Sequence, residues 1–137
     1  MSQGSRHLAR KTAVQALYQW DLTEQSASEI ESHFINDHDF VGVDMEYFHH
    51  LVHHVPLYQR EVDSRLTPHI DRDFTRIDPV ERAILRIGAY ELEFELKVPT
   101  KVIIDEAVEL SKMFSAEHGY RFVNGVLDKV AKDIRDN

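Results

Sequence analysis

Two pairs of histidines have the spacing that metal chemistry uses. In the segment HHLVHH, His49 pairs with His53 and His50 with His54, and on a helix a separation of four residues brings both imidazoles to one side. No glutamate stands between the members of a pair, as it does in H-E-x-x-H. Glu46 and His49 form one E-x-x-H, but a di-metal centre in a helical bundle needs two copies. We therefore expect these histidines to point outward, with no metal and no cofactor.

Asp105, Glu106 and Glu109 form an acidic group that could serve acid–base catalysis. Lys101 lies four residues before Asp105, and Lys112 three residues after Glu109. These spacings are typical of ion pairs on a helix surface. The sequence contains no G-x-S-x-G, P-loop or G-x-G-x-x-G motif and no cysteine, so it has no recognisable nucleophile or phosphate loop. We predict a protein that is not an enzyme and has no small-molecule substrate.

Basic residues are concentrated at the beginning of the chain. The first twenty residues contain Arg6, Arg10 and Lys11 and no acid, although the whole chain has 16 basic and 24 acidic residues and a net charge of −8. A protein that repels polyanions overall but keeps one acid-free basic stretch is expected to use that stretch for an anionic partner. A nucleic-acid backbone is the simplest such partner.

Helical periodicity places these basic residues on one side of the first helix. Successive residues of an α-helix are about 100° apart around the axis. The apolar stripe on this projection consists of Ala9, Ala13, Ala16, Leu17 and Trp20. The neighbouring arc consists of Arg6, Arg10, Val14, His7, Tyr18 and Lys11. The projection therefore predicts a surface that combines basic groups with an aromatic ring.

A second aromatic residue lies off its apolar stripe near the end of the chain. Phe122 is about 100° from the stripe of the last helix and follows Arg121 directly. Aromatic rings beside arginine can stack on unpaired RNA bases, whereas a ring in this position can also cover a groove between helices. Both interpretations stay open, and Arg121 favours RNA.

The elements that would position these residues are helices. Apolar residues recur at spacings of three and four along the chain, and alternating strand patterns are scarce, so we predict an all-α fold. Ser26 with Glu29 predicts the start of a second helix, and Asp44 the start of a third. Pro56 should kink or break that third helix near Val55.

The firmest predicted boundary is Asp78 followed by Pro79, an N-cap and a proline at the first helical position. The helix that starts there has two apolar faces, so it belongs in the middle of the structure. With 137 residues, 42% of them hydrophobic, the chain suits one compact domain. No run approaches the roughly 20 apolar residues of a membrane span. We expect no membrane association and a cytoplasmic protein.

Four segments resemble signatures of the NusB transcription antitermination family. They are residues 10–18 (RKTAVQALY), 80–92 (VERAILRIGAYEL), 98–110 (VPTKVIIDEAVEL) and 121–129 (RFVNGVLDK). They occur in the family's order and span essentially the whole chain, with residues 23–76 the least distinctive part.

The resemblance implies a single helical RNA-binding domain over residues 1–137, with about seven helices in two small bundles. The N-terminal bundle would cover about 6–66 and the C-terminal bundle about 78–135. It also implies a transcription antitermination factor that binds boxA RNA of ribosomal RNA leader transcripts together with NusE, a small-subunit ribosomal protein. The pair would help to load an antitermination complex on RNA polymerase.

The family's functional positions can be carried over to this sequence. The implied RNA-binding residues are Arg6, His7, Arg10, Lys11, Tyr18, Arg121, Phe122 and Asn124. The implied NusE-binding residues are Glu81 and Arg76. His7 and Leu8 stand where further arginines can occur in the family, so we expect weak and pH-sensitive binding to RNA without the partner.

Two other readings are kept as alternatives. The same helical fold resembles the RNA-binding domain of certain ribosomal RNA cytosine methyltransferases, but the sequence has no methyl-donor-binding domain and no cysteine for that chemistry. A helical adaptor that binds only proteins would keep Glu81 important and would make the basic arc incidental.

Overall fold

The computed structural model describes residues 5–135 and consists there of α-helices joined by short connections. The prediction of an all-α fold is confirmed. The helices are α1 (Arg6–Leu22), α2 (Ala27–Asp37), α3 (Met45–Leu57), α4 (Gln59–Leu66), α5 (Pro79–Phe94), α6 (Thr100–Phe114) and α7 (Gly119–Ile134). Among these helices, none has the length and apolar character needed to cross a membrane.

The predicted helix starts are confirmed by their hydrogen bonds. Ser26 and Glu29 form a complete capping box at the start of α2. The Asp44 carboxylate accepts a hydrogen bond from the backbone N–H of Tyr47 at the start of α3. The Asp78 carboxylate does the same for Val80 at the start of α5. Each cap satisfies a donor that the first turn of a helix leaves free.

Pro56 does break the predicted third helix, although the break falls slightly later than expected. The helix continues to Leu57, and Tyr58 leaves helical geometry before α4 begins at Gln59. A proline ring clashes with the preceding turn and removes one backbone donor. After this break, α4 packs mainly against α5.

Helix α5 occupies the centre of the molecule, as its two apolar faces predict. Every residue from 81 to 92 is buried. It packs extensively against α1, α4, α6 and α7 and makes fewer contacts with α3. The helices α1, α2 and α3 form one group and α5, α6 and α7 another. By its contacts α4 belongs mainly with the second group, so the proposed boundary between two bundles after residue 66 stays a prediction.

Candidate nucleic-acid interface

Arg10 lies in the interior, which corrects the expectation that it shares an exposed arc with Arg6 and Tyr18. Only 4% of the residue is exposed. Its Nε donates to both carboxylate oxygens of Glu91, at 3.1 and 3.0 Å, and its Nη2 donates to one of them at 2.8 Å. Tyr47 donates its hydroxyl to the same carboxylate. Arg10 lies beside the apolar stripe of α1. Because α1 packs closely against α5, the Arg10 side chain reaches Glu91 on that helix.

The charges of this interior cluster are fixed by their mutual contacts. Burial alone lowers the pKa of the Arg10 guanidinium, but the hydrogen bond and charge of Glu91 outweigh burial, so the pKa lies above its ordinary value. Burial, together with the charge of Glu91, raises the pKa of the Tyr47 hydroxyl. Arg10 is therefore a cation and Tyr47 a neutral donor at physiological pH. Both groups contact Glu91, and Arg10 Nη1 also lies 3.6 Å from a carboxylate oxygen of Glu106.

Arg6 and His7 lie at the surface near the start of α1. The Arg6 guanidinium carbon is 4.1 Å from the ring centroid of Tyr47, and its Nε is 3.8 Å from a carboxylate oxygen of Asp44. His7 Nδ1 is 2.9 Å from a carboxylate oxygen of Glu106. These neighbours hold both side chains against the protein while leaving part of each accessible.

Lys11 and Tyr18 continue this surface toward the end of α1. Tyr18 is 38% exposed and Lys11 is half-buried. Within residues 5–135, neither side chain has a hydrogen bond or ion pair to a protein group. Their polar ends can therefore bind a ligand without breaking a polar contact to another described residue. We call Arg6, His7, Lys11 and Tyr18 the α1 surface.

The start of α7 presents a second group of basic and aromatic side chains. The Arg72 guanidinium carbon is 4.6 Å from the ring centroid of Phe122. Arg121 is exposed, and its Nε donates to the Tyr120 hydroxyl at 3.3 Å. Asn124 is also exposed. We call Arg121, Phe122 and Asn124, together with Arg72, the α7 surface.

An open cleft of about 260 Å³ borders the α7 surface. Its charged and aromatic lining consists of His69, Asp71, Arg72, Arg121, Phe122 and Lys129. Three permanent cations against one carboxylate make this cleft locally positive in a chain of net charge −8. One face of Phe122 is covered by Arg72, which fits the groove-covering interpretation, but its position in the cleft also fits stacking on a base.

The α1 surface and the α7 surface belong to different helices that share one support. Helix α1 packs on α3 and α5, whereas α7 packs on α6 and α5. The predicted RNA-binding residues other than Arg10 therefore form two separate surfaces, one on α1 and one at the start of α7, and both of these helices pack on α5. Arg10 is the member that the structure moves away from both.

The two residues predicted to contact NusE differ in exposure. Arg76 is exposed in the turn before α5, whereas Glu81 is 9% exposed. Burial and the charge of Asp78 raise the pKa of the Glu81 carboxyl, and a hydrogen bond with Ser115 opposes them only in part. Glu81 thus has its main contacts at the junction of α5 with the connection before α7.

Motifs and periodicity did not identify the residues that surround Phe122 and Arg10. Arg72 lies in a polar connection, and periodicity gives no signal that its guanidinium will reach Phe122. Glu91 and Tyr47 sit on helices predicted correctly, but their meeting with Arg10 depends on how three helices pack. The one signal in the sequence is that Glu91 shares a helical face with Ile84, Ile87 and Phe94, because a carboxylate among apolar residues needs an internal partner.

Known proteins resemble this chain along nearly its whole length. Residues 7–132 match the NusB family. The transcription antitermination protein NusB of Alcanivorax borkumensis is 47% identical over 96% of this chain and 87% of its own. The NusB protein of Idiomarina loihiensis is also 47% identical, over 98% of this chain and 97% of its own.

Solved structures share the fold. A structure of antitermination factors NusB and NusE in complex with double-stranded RNA matches with a TM-score of 0.80 and 32% identity, covering 93% of this chain and 96% of that chain. NusB of T. maritima matches with a TM-score of 0.81 and 26% identity, covering 95% of this chain and 92% of its own.

Proposed function

The chain belongs to the NusB family of transcription antitermination proteins, and on that basis we propose that it binds boxA-like single-stranded RNA jointly with NusE. In this proposal the pair helps to load an antitermination complex on RNA polymerase. The protein acts in the cytoplasm by binding, without catalysis. Its RNA site has two parts, the α1 surface and the α7 surface.

The observation that carries the proposal is the positive cleft at the α7 surface. In a chain of net charge −8, Arg72, Arg121 and Lys129 line one cleft together with the aromatic ring of Phe122, and the Arg72 guanidinium lies over that ring. Basic groups attract phosphates, and an aromatic ring offers a platform for an unpaired base. This combination suits single-stranded RNA better than an acidic or apolar protein segment.

The α1 surface supports the same proposal with groups that are free to bind. Lys11 and Tyr18, seven residues apart, place a cation and an aromatic ring on the same side of α1, and neither has a polar contact with another residue of the range 5–135. Arg10 contributes indirectly, since its contacts with Glu91 fix the rotation of α1 on α5. We assign Arg10 a positioning role behind this surface.

For NusE we propose the region around the start of α5. Arg76 is exposed there and can contact a partner directly. Glu81 offers little surface, but its carboxylate lies beside Gly119 and Ser115, where α5 meets the segment before α7. A partner that engages this junction would lie next to the α7 surface, which gives a physical basis for joint binding of RNA.

The test is an RNA titration with and without purified NusE at several salt concentrations. Phe122→Ala should weaken binding by about 1–3 kcal/mol through loss of base stacking. Lys11→Ala should reduce the slope of log affinity against log salt by about 0.7, the value for one phosphate contact to a single strand. Both variants should keep their affinity for NusE.

Matched controls come from the same chain. Phe94→Ala removes another aromatic side chain that is 38% exposed, and Lys101→Ala removes an exposed lysine paired with Asp105. Neither should change RNA binding. If Phe122→Ala and Lys11→Ala bind RNA as tightly as these controls do, the proposed RNA site is wrong. If wild type does not bind NusE, the partner assignment is wrong.

A further inference from the structure

Three potential metal ligands from two helices meet on the side of the molecule formed by α2 and α3. Glu31 of α2 lies against His49 and His53 of α3. His49 Nδ1 is 2.7 Å from Glu31 Oε2, and His53 Nε2 is 2.7 Å from Glu31 Oε1. One ligand atom from each of the three residues lies within 4.8 Å of the other two.

The imidazoles of His49 and His53 lie close enough together on α3 to contact one ligand. Residues four apart lie one turn above each other on a helix, and the ring centroids of His49 and His53 are 4.3 Å apart. The capping box of Ser26 and Glu29 fixes the start of α2, and α2 packs against α3. The Glu31 carboxylate is therefore brought to this pair by tertiary packing, which periodicity within one helix could not predict.

The neighbouring histidine pair has the same spacing but different contacts. His54 Nδ1 donates to the backbone carbonyl of His50 at 2.9 Å. His50 Nε2 is 2.6 Å from a carboxylate oxygen of Glu95 and 2.8 Å from the Tyr90 hydroxyl. Their nitrogens thus have partners in different directions. This pair is an internal comparison for the first one.

We propose that Glu31, His49 and His53 bind a divalent transition-metal ion of the Zn²⁺ class, which fastens α2 to α3. Two imidazole nitrogens and one carboxylate oxygen are a ligand set that suits zinc, with water in the fourth position. His49 is the outermost ligand, with 58% of its side chain exposed. An ion can therefore enter from solvent.

Coordination requires a proton shift and a small movement. The imidazole nitrogens that face Glu31 donate N–H to its carboxylate, and each proton moves to the other ring nitrogen or to solvent when an ion takes its place. Ligand atoms about 2.0–2.1 Å from a tetrahedral zinc ion are separated by roughly 3.3 Å. Both imidazoles face Glu31 Oε1, His49 at 3.0 Å and His53 at 2.7 Å. These contacts must then lengthen by about 0.3 and 0.6 Å, and the exposed His49 side chain can adjust by rotation.

The site can be tested by calorimetric titration of the tag-free full chain with ZnCl₂. We expect saturable binding of one ion per chain and a rise in the thermal midpoint that EDTA reverses. Glu31→Gln and His53→Gln should each weaken binding by at least about tenfold. His54→Gln, the matched control in the neighbouring pair, should bind like wild type.

A spectroscopic measurement separates coordination from general effects on folding. Co²⁺ in place of Zn²⁺ should give visible absorption bands in wild type and His54→Gln that are lost in Glu31→Gln, while circular dichroism shows the same helix content in all three proteins. The proposal is overturned if wild type shows no saturable binding. It is also overturned if His54→Gln loses affinity as much as His53→Gln does.

Discussion

Arg10 in α1 and Arg121 in α7 are both arginines of a predicted RNA-binding surface, yet their environments are opposite. The Arg10 guanidinium is buried and donates to the Glu91 carboxylate through two of its nitrogens. Arg121 is exposed, and its described side-chain contacts are with the hydroxyl and the ring of its neighbour Tyr120. The same residue type thus stabilises the fold in one region and remains available to a ligand in the other.

This difference extends to other arginines of the chain. Arg82 and Arg86 at the first half of α5 are also buried, and both contact Asp21. Such residues are counted in the net charge but contribute little to a binding surface. The positive surface of this protein therefore has to be identified from exposure, and the α7 surface meets that criterion better than the α1 surface does.

The largest expected effect is on stability and comes from Arg10→Ala. Removing Arg10 leaves the buried Glu91 carboxylate with the Tyr47 hydroxyl as a donor but without its cationic partner. Breaking a buried ion pair in this way costs about 3–5 kcal/mol of unfolding free energy. Urea denaturation followed by circular dichroism measures the loss. Because the variant is expected to be much less stable, reduced RNA binding by Arg10→Ala would not by itself identify an RNA contact.

Arg121→Ala is the matched control for this comparison. An exposed arginine whose described side-chain contacts are with its neighbour Tyr120 should change the unfolding free energy by no more than about 0.5 kcal/mol. RNA affinity should fall in this variant while stability is retained. Equal stability losses for Arg10→Ala and Arg121→Ala would contradict the distinction between the two regions.

The two arginines also show which features of the structure can be predicted from the sequence. Capping residues and the period of apolar residues predicted helix types and several boundaries, because those signals act within one or two turns. Ser26, Asp44 and Asp78 all cap the helices expected of them. The break at Tyr58 was predicted in kind but fell later than expected, since the chain keeps helical geometry for one residue beyond Pro56.

The candidate site was less predictable, because its properties depend on contacts between helices. A helical projection placed Arg10 at the edge of the apolar stripe, but it could not tell whether a neighbouring helix covers that edge. The contact of Arg72 with Phe122 and that of Glu31 with the histidines likewise join segments far apart in the chain. The resemblance to the NusB family indicated which residues could bind RNA, and their exposure in the structure then separated the accessible ones from the buried Arg10.

Two glycines report how closely the two sides of α7 are packed: Gly88 of α5 faces the inner side of α7, and Gly125 lies on its outer side. A Cβ atom on Gly88 of α5 would lie 2.6 Å from Cδ1 of Leu127, a fully buried residue of α7. A Cβ atom on Gly125 would have no neighbour within 4 Å. Gly88→Ala should therefore destabilise the protein by about 1–3 kcal/mol through overpacking.

Gly125→Ala should instead stabilise the protein by up to about 1 kcal/mol, because alanine in a helix interior is favoured over glycine. Urea denaturation of both variants measures the two effects under identical conditions. Opposite signs would support an inner side closed by the α5–α7 contact and an outer side with free space beside the cleft. A Gly88→Ala variant as stable as wild type would show that Leu127 moves aside easily, and the contact would then not define the position of α7.

The smallest expected effect concerns Glu81 at the junction of α5 and the segment before α7. Burial and the charge of Asp78 raise the pKa of its carboxyl above the ordinary value of 4.5. The folded protein therefore holds this proton to higher pH than the unfolded chain does. The associated stabilisation is fully present below pH 4.5 and is lost as the pH rises through the folded pKa.

Glu81→Gln removes the titration, so its thermal midpoint relative to wild type should increase from acid to neutral pH. Glu117→Gln alters the same charge at a side chain that is 89% exposed and should show no such trend. If both variants follow wild type in parallel across this range, Glu81 is hydrated in the folded protein, and it would then be available for direct contact with NusE.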